Sequence, residues 1–405
     1  MKLVDLDHHY YEPDDAYTRH LPADYGGPRL HIDRTSGAGR PMFGGEPLYF
    51  LHTTPLDRVG RPGIFAKGSA ARFSKEGTAA GSGRRVEGDT EVADKSRELL
   101  VSPKEIPSLV DRDARLQWLD DEGVDACVMY PSLGLCTEYQ MRSDAAAYVA
   151  NMRAFNRWLL EDWGFGADRR IYGVPHLTLI DIDDAVRELE WCLSQGARVV
   201  HLLFSPLNGR SLAHPDHDRF WVVMNEAQAV ISFHGADGGY GEMVSANFGE
   251  KARPGAHERS AFQRAMCMLE RPIMDTLASL VLHNLFGRFP NVRAASIENG
   301  SNWVPYLLRV MDIGAQQGEA GIWLGGKIAD KPSDIFSKHC YVAPNAEDDV
   351  RGLIDLIGIS QVLLGSDYPH PEGAVVPAQF FDSAALTDAE ARAVYRDNGA
   401  RLLWG

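Results

Sequence analysis

Two carboxylates and two imidazoles stand close together near the start of the chain, at Asp5, Asp7, His8 and His9. They follow a short apolar run, and we predict that residues 2–7 form a β-strand. Side chains alternate along a strand, so Asp5, Asp7 and His9 are expected on one side, at its carboxyl end. Imidazole and carboxylate groups bind zinc, iron or manganese. Taken alone, the motif also fits a polar strand end with a surface histidine.

Three later segments end a short β-prone run with a residue that can bind a metal or transfer a proton: His234, Glu298 and Asp367. In each case a glycine or a proline follows within two positions and ends the predicted strand. Strands with polar ends are typical of a (β/α)8 barrel, whose active site lies at the carboxyl ends of its strands. We therefore expect these three residues to meet the amino-terminal cluster at one end of such a barrel.

From residue 112 onward, strand-like and helix-like segments alternate. After the first strand at 2–7, the predicted strands cover 125–131, 171–177, 197–204, a run ending at 234, a run ending at 298, 340–344 and a run ending at 367. The predicted helices cover 114–123, 141–163, 182–195, 216–228, 260–287, 301–316, 346–357 and 387–403. Eight strands alternating with helices favour an α/β fold, a distorted (β/α)8 TIM barrel, over an open sheet.

A long insertion follows the first strand. Residues 10–108 contain many glycines, prolines and charges, and parts of them have few bulky apolar side chains. This composition predicts a lid or a mobile loop, and an insertion without function is the alternative. A bare barrel needs about 250 residues, so we expect residues 1–405 to form a single barrel domain that includes this insertion.

Composition excludes several classes of function. The net charge is -15 and no basic stripe is present, so nucleic-acid binding is not expected. The five cysteines are scattered without paired spacing, which indicates thiols in a reducing compartment. We find no signal peptide and no apolar run long enough to span a membrane. These observations predict a cytoplasmic enzyme that acts on a small molecule.

Several motifs together resemble a known family. They are Asp5-x-Asp7-x-His9-x-x-Glu12-Pro13, Phe233-His234, Arg288-Phe-Pro-Asn-Val292, Glu298-Asn-Gly-x-x-Trp303-Val-Pro305 and Gly365-Ser-Asp-Tyr-Pro-His-Pro371. Their order resembles the amidohydrolase superfamily. More narrowly, it resembles the amidohydrolase-2 branch, which includes aminocarboxymuconate-semialdehyde decarboxylase and the aromatic-acid decarboxylases. The resemblance covers nearly the whole chain apart from the insertion.

The resemblance implies one divalent metal ion at the barrel mouth, bound by Asp7, His9, His234 and Asp367. Zinc is the first expectation, and manganese or iron also suits a ligand set rich in oxygen. We further expect Asp367, Glu298 and His234 to take part in catalysis. The resemblance also implies a homodimer.

Glu298 departs from the family pattern, because the decarboxylases of this branch carry a histidine at that position. A carboxylate beside an activated water can act as a general base and then protonate a leaving group. The difference therefore favours hydrolysis. The alternative is that Glu298 only supports the loop after the sixth strand.

The leading expectation is a hydrolase that uses metal-activated water on a small cyclic or aromatic carbonyl or carboxylate compound, such as an amide, a lactone or a C–C bond. The alternative is a non-oxidative, metal-dependent decarboxylase of an aromatic or unsaturated carboxylic acid. A more remote alternative is a barrel that binds a ligand without catalysis.

Four residues are candidates for substrate binding: Tyr240, His370, Trp303 and His283. His370 follows Asp367 closely and either orients that carboxylate, contacts substrate or shapes a turn. His283 stands in an apolar helical stretch, where packing is the competing interpretation. Aromatic side chains such as Trp303 line pockets and fill barrel cores equally well.

Overall fold

The computed structural model describes residues 1–51, 56–66, 69, 74–75, 94–95 and 97–405. The strands within them are β1 Leu3–Tyr10, β2 Leu30–Asp33, β3 Arg40–Phe43, β4 Glu46–Pro47, β5 Val59–Gly60, β6 Leu100–Val101, β7 Val124–Pro131, β8 Ile171–Gly173, β9 His176–Leu177, β10 Val199–Leu202, β11 Val230–His234, β12 Arg293–Ile297 and β13 Cys340–Val342. The helices are α1 Arg112–Asp121, α2 Glu138–Met141, α3 Ala145–Asp162, α4 Ile182–Ser194, α5 Asp218–Ala227, α6 Tyr240–Met243, α7 Ala261–Met266, α8 Glu270–Leu282, α9 Leu285–Arg288, α10 Val304–Gln317, α11 Pro332–His339, α12 Val350–Ile357, α13 Asp388–Arg392 and α14 Asn398–Trp404. None of these helices combines the length and the apolar character needed to cross a bilayer.

The central strands form two parallel sheets, β1-β7-β8 and β9-β10-β11-β12-β13. An eighth segment at residues 362–364 joins their outer edges. Val362 forms a parallel bridge with Val342, and the amide of Leu6 donates to the carbonyl of Leu364 at 2.9 Å. The strands therefore follow one another in the order of a (β/α)8 barrel, and the predicted α/β fold with parallel strands is confirmed.

The third predicted strand is interrupted, which makes the barrel a distorted one. Residues 171–177 form two short strands, β8 and β9, separated by Val174 and Pro175. Pro175 has no amide hydrogen and cannot donate to a neighbouring strand. Val174 still donates to the carbonyl of Met129, and Pro175 accepts from the amide of His201. The chain therefore passes from one sheet to the other at this break, and both Val174 and Pro175 keep a hydrogen bond to a neighbouring strand.

Strand β1 is buried along its whole length, and none of its eight residues is more than 4% exposed. Its register against β7 shifts between Asp5 and His8, so simple alternation fails there. Asp7 and His9 still share a side, as predicted. The prediction that Asp5 points with them is wrong, because its carboxylate turns toward His8 at 3.2 Å.

Helix boundaries differ from the prediction where a polar side chain or a strained backbone intervenes. Helix α3 begins at Ala145 rather than at 141, because the carboxylate of Asp144 caps it by accepting from the amide of Ala147. The predicted helix over 260–287 is three helices, α7, α8 and α9. The breaks fall at Leu269 and Asn284, which adopt positive φ angles of 29° and 55°.

The described part of the insertion is ordered around two small antiparallel sheets, β2-β3-β4 and β5-β6. The amide of Leu30 donates to the side chain of Asn151 at 2.8 Å, which attaches the first sheet to α3. The lid prediction also covers residues 52–55, 67–68, 70–73, 76–93 and 96, which lie outside the described residues.

The last helix, α14, packs on the first strand. A side chain at Gly399 would meet Leu6 and Val4 at 2.5 and 2.8 Å, so only glycine permits this approach. Arg396 precedes the helix, donates to the carbonyl of Lys2 at 2.8 Å and pairs with Asp125 at 2.8 Å. Gly399 and Arg396, near the carboxyl end of the chain, therefore hold the segment that contains β1 in place.

Candidate metal centre

Asp7, His9 and His234 meet at the carboxyl ends of β1 and β11. The Nε2 atom of His9 lies 3.2 Å from both Asp7 Oδ1 and His234 Nε2, and His234 Nε2 lies 3.2 Å from Asp7 Oδ1. All three side chains are buried. The sequence motif at β1 and the strand ending at His234 therefore converge as expected.

A second group of ligand-type side chains shares His9 with the first. It contains His9, Glu298, Asp367 and His370, whose ligand atoms all lie within 4.8 Å of one another. Asp367 Oδ1 is 3.3 Å from His9 Nε2 and 2.7 Å from His370 Nδ1. Glu298 Oε2 is 3.4 Å from His234 Nδ1. The predicted catalytic residues and the predicted metal ligands thus lie in one cluster.

The geometry of Asp7, His9 and His234 suits a bound metal ion. Two ligands about 2.0–2.1 Å from a tetrahedral zinc ion are separated by about 3.3 Å, and the measured separations are 3.2 Å. The Nδ1 hydrogen of His234 donates to the carbonyl of Gly235 at 3.0 Å. That bond leaves the Nε2 lone pair facing Asp7 and His9, which is the tautomer a metal ligand requires.

A buried polar atom without a partner supports the same interpretation for Asp367. Its Oδ1 atom is buried and has no hydrogen-bond partner in acceptable geometry, although two imidazole nitrogens lie nearby. Buried oxygens of this kind usually bind a proton donor or an ion. The donor set Asp7, His9, His234 and Asp367 therefore fits a divalent metal ion.

Neighbouring side chains fix the orientation of this cluster. Asp5 Oδ1 accepts from the amides of Asp7 and Ser366, which ties β1 to the segment before Asp367. The ring of His370 stacks on His9 with centroids 3.8 Å apart, and its Nε2 lies 3.2 Å from Ser132 Oγ. These contacts leave the candidate ligand side chains little rotational freedom.

The cluster concentrates charge in a buried space. Burial raises the pKa of Asp7, but His234 and His9 outweigh it and the net shift is downward. Burial and the carboxylates of Asp367 and Asp7 raise the pKa of Glu298 well above its usual range. Burial lowers the pKa of His370, yet Asp367 reverses this and brings it to about 9. Opposite shifts in adjacent groups are typical of sites that move protons.

A cavity of about 710 Å³ opens beside His370. Its walls include Tyr11, Ser132 and Leu133 from the barrel loops. The insertion contributes further lining residues, among them Ile32 of β2. This volume falls within the range of small-molecule sites. The insertion therefore forms part of the wall next to the candidate metal centre.

Three predicted substrate contacts lie apart from this cluster. The hydroxyl of Tyr240 donates to Asp275 at 3.1 Å. The indole of Trp303 is buried and donates to the carbonyls of Asn299 and Gly300. His283 ends helix α8. None of the three lines the cavity beside His370, and substrate contact by all four residues stays a prediction.

Some residues at the centre could not be found from sequence patterns. Ser132 and Tyr130 lie near the end of β7, and the Tyr130 ring is 4.5 Å from that of His234. Their only sequence signal is their place at the end of a predicted strand. A further cluster, Glu138, His176 and His201, lies behind Tyr130. Its two histidines stand out in the sequence, but their shared carboxylate does not.

Comparison with known proteins gives consistent relatives. A family model described as Amidohydrolase matches residues 112–404. The 2-amino-3-carboxymuconate-6-semialdehyde decarboxylase of Dictyostelium discoideum is 23% identical over 292 residues, which cover 67% of this chain and 70% of that protein.

Two solved structures share the fold. An amidohydrolase from Mycobacterium avium subsp. paratuberculosis is 29% identical, with 99% of this chain and 97% of that chain covered and a TM-score of 0.84. A dihydroxybenzoic acid decarboxylase from Polaromonas, with bound manganese and the inhibitor 2-nitroresorcinol, is 17% identical. The match covers 74% of this chain and 89% of that chain, with a TM-score of 0.56.

Proposed function

Because this chain belongs to the amidohydrolase family, we propose that it is a metal-dependent decarboxylase of a small aromatic or unsaturated carboxylic acid. Members of the family are metal-dependent enzymes, both decarboxylases and amidohydrolases. The observation that carries the proposal is the buried group of Asp7, His9, His234 and Asp367, with Glu298 and His370 beside it and a cavity next to them. Decarboxylases are found among the proteins that share this family or fold.

Asp7, His9, His234 and Asp367 are the residues that would bind the metal. When bound, a divalent ion polarises the carboxylate of the substrate and a neighbouring oxygen. Zinc suits the two imidazoles, and manganese suits the two carboxylates. The tight packing of His370 on His9 and the bonds of Asp5 hold the donor atoms in place before substrate arrives.

Glu298 is the proposed proton donor to the carbon that loses its carboxyl group. Its side chain is about a quarter exposed, so it faces the open side of the cluster, whereas His9 and His234 are fully buried. The C–C bond breaks, CO2 leaves, and the electron pair that remains on carbon takes the proton of Glu298. Water then returns a proton to Glu298. A carboxylic acid performs this step as an imidazolium would.

The cavity beside His370 is the proposed substrate chamber. His370 Nδ1 lies 2.7 Å from Asp367 Oδ1, and its other ring nitrogen lies 3.2 Å from Ser132 Oγ. It therefore orients the Asp367 carboxylate and presents a cationic edge to an acidic substrate. Tyr11 and Leu133 add an aromatic and an apolar wall, which suits a planar ring.

The test is an assay of the purified, metal-reconstituted protein against two matched panels. One panel contains ortho-hydroxylated benzoic acids and unsaturated acids, and the other contains amides and lactones of similar size. We expect CO2 release from the first panel only. In D2O the product is expected to carry one deuterium at the vacated carbon.

Asp367→Asn serves as the paired variant and is expected to lose both activity and metal. Hydrolysis of the second panel without CO2 release would overturn the decarboxylase proposal in favour of the hydrolase. Full activity and full metal content in Asp367→Asn would overturn the assignment of the site itself.

A further inference from the structure

The cluster of ligand-type side chains behind Tyr130 lies inside the fold and shares no residue with the candidate metal centre. It consists of Glu138 on α2, His176 on β9 and His201 on β10. Glu138 Oε1 lies 2.8 Å from His176 Nδ1 and 3.4 Å from His201 Nε2. His176 and His201 are register partners on adjacent parallel strands, and their ring centroids are 4.5 Å apart. Three elements therefore bring one carboxylate and two imidazoles to a common point.

The cluster is sealed from solvent. Glu138, His176 and His201 are each fully buried. Three of the four imidazole nitrogens, His176 Nε2 and both nitrogens of His201, have no hydrogen-bond partner among the described residues. His201 Nε2 lies close to Glu138 but outside hydrogen-bonding geometry. Buried polar atoms without partners are costly, so this arrangement needs a further partner.

The surroundings favour a cation as that partner. The hydroxyl of Tyr148 donates to the other carboxylate oxygen of Glu138, which leaves Oε1 facing the two histidines. Carboxylates that bind metals are commonly oriented by such a bond. His201 Nε2 lies 3.4 Å from Glu138 Oε1 and has no hydrogen-bond partner among the described residues, so it is placed to bind the same ion.

We propose that Glu138, His176 and His201 bind a second divalent cation, and that this cation is zinc. Two imidazoles and one carboxylate form a ligand set that zinc uses in proteins. The three ligand atoms lie within 4.8 Å of one another, close enough to share one ion.

The second site is distinct from the candidate metal centre. Tyr130 stands between them, with its ring 6.5 Å from that of His201 and 4.5 Å from that of His234. The two sites share no ligand residue. A cation held by Glu138, His176 and His201 would link the segment after β7 to strands β9 and β10. This link lies next to the break between β8 and β9. Its role is therefore structural.

The experiment is zinc stoichiometry on the full-length protein. Protein stripped of metal is reconstituted with excess zinc, desalted and analysed by plasma mass spectrometry. We expect about two equivalents in the wild type and about one in His9→Ala/His234→Ala, since only the first site is removed there. Anomalous diffraction at the zinc edge should give a peak among Glu138, His176 and His201.

Two further variants separate binding from folding. Glu138→Gln/His201→Gln is expected to hold about one equivalent, located at the first site. His217→Gln/His339→Gln also removes two buried polar side chains, but from other parts of the fold, and should retain about two. One equivalent in the wild type and none in His9→Ala/His234→Ala would overturn the proposal. These two proteins decide the question even if Glu138→Gln/His201→Gln fails to fold.

Discussion

Glu298 adopts a left-handed backbone conformation, with φ at 53°, directly after β12. Asp367 does the same after the eighth strand segment, with φ at 60°. Residues with side chains seldom occupy this region, and such strain persists mainly where the surrounding structure and function require it. In both cases the turn brings a carboxyl group to the candidate metal centre.

The assigned role of Glu298 predicts a specific kinetic defect. Glu298→Gln keeps the shape of the side chain but removes the proton it would deliver. We expect kcat to fall by about 10²–10⁴-fold, while the metal content stays at the wild-type level. Steady-state kinetics and plasma mass spectrometry on the same preparation measure both quantities.

Glu242→Gln is the matched control, because Glu242 is a surface residue paired with Arg253 at 2.8 Å. Its kinetics should equal those of the wild type. Loss of metal from Glu298→Gln would instead make Glu298 a ligand, and unchanged kcat would remove it from the mechanism.

At the scale of single residues, the sequence predicted a place at the candidate metal centre where two properties coincide. The residue type can bind a metal ion or transfer a proton, and the residue lies at the end of a predicted strand. Those two properties predicted that Asp7, His9, His234 and Asp367 meet, and the family resemblance implied that they bind a metal ion. Asp5 was placed on the wrong side because the register shift in β1 depends on its pairing with β7, which alternation along one strand does not reveal. Ser132 was missed because a serine after a strand carries no distinctive sequence signal. Its place at the centre follows only from the structure, in which its Oγ lies 3.2 Å from His370 Nε2.

At the scale of elements, Glu12 joins two loops at the barrel mouth. Its carboxylate accepts from the amides of Leu133 and Gly134 at 3.0 and 2.7 Å, which holds the loop after β1 against the loop after β7. Burial raises the pKa of Glu12 from 4.5 to about 7, although those backbone bonds oppose it. The carboxyl group is therefore harder to ionise in the folded protein than in the unfolded chain.

This shift predicts how stability depends on pH. Between pH 4.5 and 7 the unfolded chain releases the Glu12 proton while the folded protein retains it, so the free energy of unfolding falls as pH rises. The full effect is at most roughly 3 kcal/mol. Glu12→Gln should show a correspondingly smaller decline, measured by urea denaturation at several pH values.

Glu105→Gln changes an exposed carboxyl group in the same region of sequence and should follow the wild-type curve. If the wild type and Glu12→Gln decline in parallel, Glu12 does not carry this pH dependence.

Element boundaries were predictable only where local signals dominate. Thr387 and Glu390 form a capping box at the start of α13, and their spacing in the sequence is enough to indicate it. The division of the predicted 260–287 helix, however, depends on Leu269 and Asn284 adopting backbone angles that no local pattern requires. The break between β8 and β9 was similarly hidden, because a β-prone sequence continued across Pro175. In both places contacts between distant segments outweigh local preference.

For the molecule as a whole, the candidate metal centre connects the first, fifth and eighth strand segments. Binding of an ion to the folded state alone stabilises it, by about 4 kcal/mol at a free concentration a thousandfold above the Kd. Chelation should therefore lower Tm by a few degrees, and added zinc or manganese should restore it. Differential scanning calorimetry measures the change.

His9→Ala/His234→Ala is expected to respond less to chelation than the wild type does. An unchanged Tm in chelated wild-type protein would contradict a stabilising ion at this centre.

The homodimer expected from the family resemblance remains a prediction. One face of α10 carries the exposed apolar side chains Tyr306, Val310 and Ile313, which are 61%, 38% and 41% accessible and share one side of the helix. We expect the wild type to have the mass of a dimer and Tyr306→Glu/Ile313→Glu that of a monomer in light scattering after size exclusion.

Val222→Glu provides the comparison, since Val222 is a similarly exposed apolar residue on α5. It should leave the mass unchanged. A monomeric wild type would contradict the prediction directly.

The packing of α14 on β1 has a consequence for biosynthesis. Asp7 and His9 leave the ribosome early, but Asp367 and the helix that covers Leu6 are translated more than 350 residues later. At about 5–20 residues per second, this interval lasts tens of seconds. During that time the nascent chain has the candidate ligands Asp7 and His9 on a strand that is neither paired on both edges nor covered. We therefore predict that the candidate metal centre forms late in folding, after translation has passed Gly399.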